Sequence, residues 1–270
     1  MMLQRSAVVW LLCLFTGSIH AGEPLFVPHG AGQAGMAFAT VALPGHWNSF
    51  HNQALMSGCT DISAGFSLES RFMMTEMSSK ALSVILPGGR APLGIIAAHY
   101  GNGQYSSIFT GIGSSVALSE VISAGIQADL ITETGIGDYR EVCHATFEAG
   151  LSALITSNLT LGIHVFNPLA AFNTLPSSLR AGLSWSPTPD LMLACEASKA
   201  TDEPLSLHGG VDWQLLRKLT FRTGYMSSPS SFAFGAGFTS GALQTDISFL
   251  VNNLTGVTSS VSFTWTFMKR

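Results

Sequence analysis

The feature that most constrains the fold is a run of strictly alternating residues near the C-terminus, "SSVSFTWTF", Ser259 to Phe267. Its aromatic and aliphatic residues fall on one side and its hydroxyl residues on the other, which is the period of two of a β-strand with unlike faces. In a soluble sandwich the apolar face would contact a core. In an outer-membrane barrel it would contact lipid, and the hydroxyl face would line the lumen. The alternation alone leaves both architectures open.

The composition separates these two possibilities. Only 10% of the 270 residues are charged although 47% are hydrophobic, whereas a soluble domain carries roughly 25% charged residues. After the first 21 residues no stretch approaches the ~18 consecutive apolar residues of a membrane-spanning helix. An apolar chain without spanning helices favours an all-β transmembrane barrel. The net charge of -4 comes without a basic cluster, so no nucleic-acid partner is expected.

The first residues predict export from the cytoplasm. Arg5 supplies a positive n-region, Ala7 to Phe15 an apolar h-region, and "GSIHA" a cleavage site after Ala21. This order is typical of a signal peptide. We therefore exclude residues 1–21 from the fold.

Alternating segments recur along the rest of the chain and predict about 14 antiparallel strands. Turns after even strands tend to be tight and connections after odd strands longer, with "PGGRAP" at 87–92 and "SPTPD" as longer exceptions. This is the pattern of bacterial outer-membrane barrels. The predicted strands are 60–73, 80–86, 92–100, 106–117, 121–132, 142–155, 159–166, 179–185, 190–199, 205–216, 218–226, 231–239, 242–252 and 257–268.

Many positions on the predicted lumen face are glycine, which leaves space inside the barrel. About 14 strands enclose more volume than side chains alone can fill. Residues 22–58 precede the first strand and are predicted to form an N-terminal hatch inside a barrel of residues 59–270. The formal G-x-G-x-x-G from Gly30 to Gly35 lacks a preceding buried strand and a nearby acid. No nucleotide or other cofactor is therefore expected.

The hatch sequence resembles the N-terminal motif of PorV/PorQ-like proteins, relatives of the FadL long-chain fatty acid transporters. The matching residues are Gly35-Met36, Thr40-Val41-Ala42 and the turn Asn52-Gln53-Ala54, although the glycine expected after Ala54 is missing. The resemblance implies a 14-stranded barrel with a hatch in the outer membrane of a Gram-negative bacterium of the Bacteroidota. The hatch motif is then Gly35, Met36, Asn52, Gln53 and Ala54.

The resemblance implies two functions, and the barrel alone a third, none of them enzymatic. PorV-like members assist protein export or surface attachment by type IX secretion, which is the first hypothesis and implies secretion-system or lipoprotein partners. FadL-like members pass hydrophobic small molecules through the barrel, which is the alternative. A structural scaffold is the third. In each case outer-membrane lipids surround the barrel.

Charged residues of both signs are predicted to face the lumen. Because an unpaired charge in a plugged interior is costly, we expect these residues to pair and to hold the hatch; a polar track for a solute is the other possibility. The predicted lumen residues and hatch anchors are Arg71, Arg180, Arg222, Asp212, Asp246 and Glu148. The aromatic residues Trp185, Trp213, Tyr225, Phe249, Phe263 and Trp265 are predicted to form a lipid-facing girdle.

Overall fold

The structure, a computed structural model, describes residues 29–89, 91–135, 141–170, 175–201 and 203–267. The predicted signal peptide, residues 1–21, and the start of the predicted hatch, residues 22–28, lie outside the described residues.

The described residues contain 14 antiparallel strands that close into one barrel, as the alternation predicts. Each strand pairs with its neighbours in sequence, and β1 pairs with β14 from Ile62↔Phe267 to Ser70↔Ser259. The strands are β1 Ile62–Ser70, β2 Ser78–Leu86, β3 Leu93–Gly101, β4 Tyr105–Ala117, β5 Ile122–Gly135, β6 Val142–Thr156, β7 Leu159–Phe166, β8 Ser178–Thr188, β9 Leu191–Ala200, β10 Ser206–Leu216, β11 Leu219–Ser227, β12 Ser230–Ser240, β13 Leu243–Asn252 and β14 Gly256–Phe267.

The two faces of β14 decide between the barrel and the sandwich. Trp265 on the apolar face is 49% exposed, whereas Ser262 on the hydroxyl face is fully buried. A sandwich would bury the aromatic face, so the transmembrane barrel is the correct architecture. The predicted girdle residues are likewise exposed on the outer surface.

Both ends of the barrel wall lie at the same rim, which we call the terminal rim; the opposite edge is the loop rim. Four connections at the terminal rim, 157–158, 189–190, 217–218 and 241–242, have two residues each. The predicted longer connection "SPTPD" is wrong, because β8 continues to Thr188 with a register irregularity after Trp185. Such an irregularity accommodates Pro187, which has no N–H for the ladder.

Residues 29–58, which we call the inner segment, lie inside the barrel. They form the short helices α1 (Ala31–Gly35) and α2 (Asn48–His51) and the 3-10 helix Gln53–Gly58. Helix α1 contacts β1 and β11 to β14, whereas the 3-10 helix contacts β4 to β6. Two further 3-10 turns, Arg71–Met73 and Thr75–Met77, join β1 to β2 at the loop rim.

No helix among the described residues is long and apolar enough to cross a membrane.

Glycines on the lumen face let the inner segment approach the wall closely. A Cβ atom at Gly162 would lie well inside contact distance of the Val41 carbonyl oxygen, and one at Gly150 would collide with the Asn52 side chain. At Gly210 a Cβ atom would lie 2.8 Å from that of Met36. Glycine is required at these positions because only a residue without a side chain permits such an approach.

An apolar core forms where α2 meets the wall. Trp47 and Phe50 of the inner segment pack with Ile96, Phe109 and Ile131 of β3 to β5, and all are buried. Burying a large apolar side chain contributes roughly 1.5–3 kcal/mol. The inner segment is therefore held by apolar packing as well as by polar contacts.

Replacing Gly162 by alanine is expected to loosen the inner segment without opening the barrel. Overpacking costs roughly 1–3 kcal/mol, so amide exchange around Val41 should become about tenfold faster by hydrogen–deuterium exchange, whereas the strands should be unchanged. Gly209→Ala is the matched control, because nothing lies within 4 Å of a Cβ atom at Gly209. Equal exchange around Val41 in both variants would contradict the close approach.

Candidate functional site

A buried ion pair on the wall holds the middle of the inner segment. Arg180 of β8 and Glu196 of β9 face inward on neighbouring strands, and the guanidinium Nε lies 2.6 Å from Glu196 Oε1, with Nη2 at 3.1 Å from Oε2. This geometry is bidentate, the stronger form of the arginine–carboxylate pair. Both side chains are buried.

The pair continues into the backbone of the inner segment. Glu196 Oε2 accepts the N–H groups of Thr40 and Val41, each at 2.8 Å. Arg180 Nη2 donates to the Thr40 hydroxyl at 2.8 Å. One carboxylate and one guanidinium therefore fix residues 40 and 41 against the wall, and breaking these contacts would leave buried charges without partners, which is costly.

His51 completes this network. Its Nε2 lies 2.8 Å from the carbonyl oxygen of His29, so this nitrogen donates, and Nδ1 accepts the Thr40 hydroxyl proton at 2.9 Å. Burial, reinforced by the Arg180 charge, holds the pKa of His51 well below 6.5, although the bond to His29 opposes the shift. A neutral His51 is what the network requires, because an imidazolium could not accept from Thr40.

Two further histidines of the inner segment are held neutral. Burial and the Arg71 charge lower the pKa of His29 to about 3. Burial lowers the pKa of His46 to about 4, against an opposing hydrogen bond with the Ser83 backbone. The seated inner segment thus keeps three imidazoles uncharged.

The predicted turn Asn52-Gln53-Ala54 lies against β5 and β6. Asn52 Nδ2 donates to the carbonyl oxygens of Val41 at 2.7 Å and Leu151 at 3.1 Å, while its Oδ1 accepts from the Ala54 N–H at 3.2 Å. Gln53 Nε2 lies 2.5 Å from Glu148 Oε2. The turn is therefore tied to itself and to the wall.

The predicted residues Gly35 and Met36 pack against the other side of the barrel. A Cβ atom at Gly35 would lie 3.3 Å from Arg222 Cβ. Met36 is buried in a cluster with Ala39, Leu43 and Ala194. The structure thus brings the whole motif into contact with the wall, on two opposite sides.

Five of the six predicted lumen residues and hatch anchors belong to three separate ion-pair groups, whereas Glu148 Oε2 lies 2.9 Å from His164 Nε2. Arg222 lies 2.5 Å from both Asp212 and Asp246, and it packs against Gly32 of α1. Arg180 pairs with Glu196, as described above. Arg71 pairs with Glu69 at 3.2 Å and lies over the Tyr100 ring. The partners of Arg71 thus belong to the wall, whereas Arg180 and Arg222 contact the inner segment.

A cavity of about 630 Å³ lies between the inner segment and the loop rim. Phe38 and Ala34 of the inner segment form part of its lining, and Ala37 and Phe38 adopt φ angles of 50° and 59°. That conformation costs an L-residue roughly 1–2 kcal/mol. Other lining residues are Phe72, His164, Phe166, Leu175, Pro176, Arg180, Glu196, His208, Met226, Pro229 and Leu250.

Sequence reasoning missed several residues that hold the inner segment. Ser262 Oγ accepts the Ala31 N–H at 3.1 Å, Ser184 donates to the Ala42 carbonyl at 2.7 Å, and His51 has the role described above. The period of two placed both serines on the lumen face. No signal distinguishes them from the other lumen serines, because their partners are backbone atoms.

Comparison with known proteins gives matches among solved structures only. No family model and no curated protein matches the chain. The narrower PorV/PorQ relationship therefore rests on the sequence motifs alone.

The solved structures that match include a hydrocarbon channel, a toluene transporter and a FadL homologue. The CymD monoaromatic hydrocarbon channel superimposes with a TM-score of 0.72 at 14% identity, over 92% of this chain and 100% of that one. The Ralstonia pickettii toluene transporter TbuX gives 0.70 at 12%, over 90% and 99%. A Pseudomonas aeruginosa FadL homologue gives 0.66 at 13%, over 91% and 100%. At these identities the likeness concerns the fold, and this chain has the barrel fold of FadL-type outer-membrane hydrocarbon transporters.

Proposed function

We propose that this protein is a non-enzymatic, FadL-like conduit for small hydrophobic molecules across the outer membrane of a Gram-negative bacterium. The predicted hatch, residues 22–58, acts as its gate. The observation that carries the proposal is the cavity of about 630 Å³ that the inner segment separates from the terminal rim. Ligand pockets typically enclose 300–1,000 Å³.

The chemistry of the cavity supports an apolar solute. Phe38, Phe72, Leu175, Met226 and Leu250 supply apolar surface. The arginines of the lining, Arg71 and Arg180, are each paired with a carboxylate. A neutral apolar molecule would thus meet surfaces that match it without having to displace an ion pair.

The contacts of the inner segment suggest how the gate works. Strain at Ala37 and Phe38, on the cavity side, favours a change of conformation there, whereas the bonds of Arg180 and Glu196 to Thr40 and Val41 oppose it. A solute that packs against Phe38 would act directly on the strained residues. Movement of the segment away from the wall would then join the cavity to the terminal rim.

The hypothesis of an export accessory is less well supported than the conduit. It rests on the PorV/PorQ-like motifs, and the matching solved structures include hydrocarbon channels and a toluene transporter. Co-purification of secretion components with the native protein would support the export-accessory hypothesis.

A cross-link between the inner segment and the wall is expected to stop solute passage. The hydroxyl oxygens of Ser49 on α2 and Ser83 on β2 lie 2.7 Å apart, so cysteines there can form a disulfide, whose sulfur atoms lie about 2.05 Å apart. The Ser49→Cys/Ser83→Cys variant, with Cys59, Cys143 and Cys195 replaced by serine, should pass toluene when reduced. The vesicles carry a lipopolysaccharide outer leaflet, because a plain phospholipid bilayer lets toluene through without a protein. Passage should fall at least tenfold on oxidation, as reported by a solvatochromic dye trapped inside the vesicles.

Two controls make this experiment decisive. Each single-cysteine variant should be insensitive to oxidant, and the wall–wall pair Ser248→Cys/Ser260→Cys, which joins β13 to β14, should conduct in both states. Equal passage by the oxidised and reduced Ser49/Ser83 protein would reject the gate but keep the conduit. No passage above empty vesicles in any state would reject the conduit itself.

Acidification is expected to loosen the inner segment. Below pH 6.5 the three histidines His29, His46 and His51 take up protons when the inner segment is released but stay neutral when it is bound to the wall. The free energy that holds the segment against the wall therefore decreases as the pH falls. The loss is about 1.4 kcal/mol per histidine and pH unit. The contribution of His46 stops growing near pH 4, which is its pKa in the bound segment, and that of His29 stops growing near pH 3. Above about pH 7.5 these groups contribute no pH dependence.

Hydrogen–deuterium exchange, corrected for the intrinsic pH dependence of amide exchange, measures this effect. Protection of residues 38–58 should fall between pH 7.5 and 5.5, while strand amides in the same sample stay protected. A His46→Gln variant should show a shallower fall, because one of the three titrating groups is gone. A flat profile for residues 38–58 in the unmodified protein would contradict the neutral, buried histidines.

A further inference from the structure

We propose that the lipid-facing surface of β2 and β3 near the loop rim binds the phosphate group of a glycolipid of the outer leaflet, of the lipid A type that anchors lipopolysaccharide. We call this surface the phosphate patch; it consists of Ser78, Lys80 and His99. The inference is independent of what solute the barrel conducts.

The charged residues of the 14 strands are sorted by type between the two faces of the wall. Carboxylates and arginines of the strands face the lumen, whereas both lysines of the strands, Lys80 and Lys199, are exposed on the lipid side. An ionisable side chain on the lipid side of a barrel is unfavourable unless it lies near the interface or has a partner there. The inward carboxylates are Glu69, Asp129, Glu133, Glu148, Glu196, Asp212 and Asp246.

The phosphate patch lies at headgroup depth on the outward side of the membrane. Lys80 is the third residue of β2, which begins at the loop rim, and His99 is the third residue from the end of β3, which ends there. At about 3.3 Å per residue, both lie within roughly 10 Å of the rim. The connections 71–77 and 167–177 at this rim are longer than the two-residue turns of the terminal rim. Longer connections of such barrels face outward, so the loop rim lies in the outer leaflet.

The barrel register brings the donors of the phosphate patch together. Lys80 is directly paired with His99, and directly paired residues have Cβ atoms about 4.5–5.5 Å apart. Ser78 lies on the same face of β2, two residues nearer to the rim. An ammonium, a hydroxyl and an imidazole in either protonation state each offer a hydrogen-bond donor. One phosphate group can therefore accept hydrogen bonds from more than one of these side chains.

The described strands do not neutralise Lys80. Its directly paired neighbour on β1 is Leu68, and the carboxylates of the strands face the opposite side of the wall. An ammonium at the edge of an apolar medium favours an anionic partner. Phosphate is the anion that lipid headgroups offer at this depth, and lysine is a common phosphate ligand.

The wall around and below the phosphate patch fits acyl chains. The residues that continue the same outer face toward the middle of the membrane are aliphatic and exposed, and they are Leu68, Leu82, Ile95 and Ile108. An amphiphile whose phosphate contacts Lys80 would lay its chains on these side chains, which a free phosphate ion could not use. Lipid A combines phosphate groups on a sugar headgroup with several acyl chains, and it is the glycolipid of the outer leaflet in Gram-negative bacteria.

Binding of lipid A to residues 22–270, refolded from inclusion bodies and therefore free of lipopolysaccharide, tests the proposal. Native mass spectrometry in detergent and metal-free buffer should show binding of bisphosphorylated lipid A that weakens at least tenfold when both phosphates are removed. Lys80→Gln should weaken binding about fivefold, and His99→Leu should weaken it by a similar factor. A heat-modifiable gel shift in every variant shows that the barrel is folded.

The matched control is Lys199→Gln, which should leave lipid A binding unchanged. Lys199 also faces lipid near the loop rim, but its paired neighbour on β8 is Leu179, and its ammonium donates to the carbonyl oxygen of Glu203. Equal losses in Lys80→Gln and Lys199→Gln would assign the binding to general charge and overturn the proposal. Undiminished binding of dephosphorylated lipid A would also overturn it. Displacement of lipid A by millimolar inorganic phosphate would assign the phosphate patch to a free anion instead of a lipid.

Discussion

The pairing of β1 with β14 is the contact on which the rest of the structure depends. A sheet in a bilayer cannot leave an edge, because lipid offers no partner for backbone N–H and C=O groups. The described wall meets this condition with nine residue pairs between its first and last strands. Closure also fixes the lumen, since a wall of 14 strands cannot be filled by its own side chains. The inner segment meets this need by occupying the lumen.

The lumen is filled largely by the inner segment, which reaches the wall where glycines take the place of larger side chains. Glycines such as Gly150, Gly162 and Gly210 admit the inner segment to within contact distance, and its irregular course leaves many N–H and C=O groups that need partners. Polar wall residues supply them, as Glu196 does for Thr40 and Val41. The polar side chains of the lumen thus bond the backbone groups that the inner segment, with little regular structure, cannot pair by itself.

The strand pattern could be predicted from the sequence because alternation in a barrel has a single physical cause, lipid on one side and lumen on the other. The alternation therefore predicts that Arg180 and Asp246 face inward, even though it does not tell which residues of other strands lie beside them. It could not reveal the course of residues 29–58, whose short helices depend on the wall for partners. The role of His51 was invisible for the same reason, since its bonds are to a threonine hydroxyl and a backbone carbonyl. The extension of β8 past Pro187 was missed because proline normally ends a central strand.

The link between the inner segment and the wall is short: only residues 59–61 separate the 3-10 helix from β1. Three residues span at most about 11 Å, so a displaced segment stays beside the first strand. Its return is an intramolecular event with an effective concentration in the millimolar range or above. The rate at which a displaced segment returns would then be independent of how much protein the membrane holds. The gate proposed above would therefore reset itself after each opening without any partner protein.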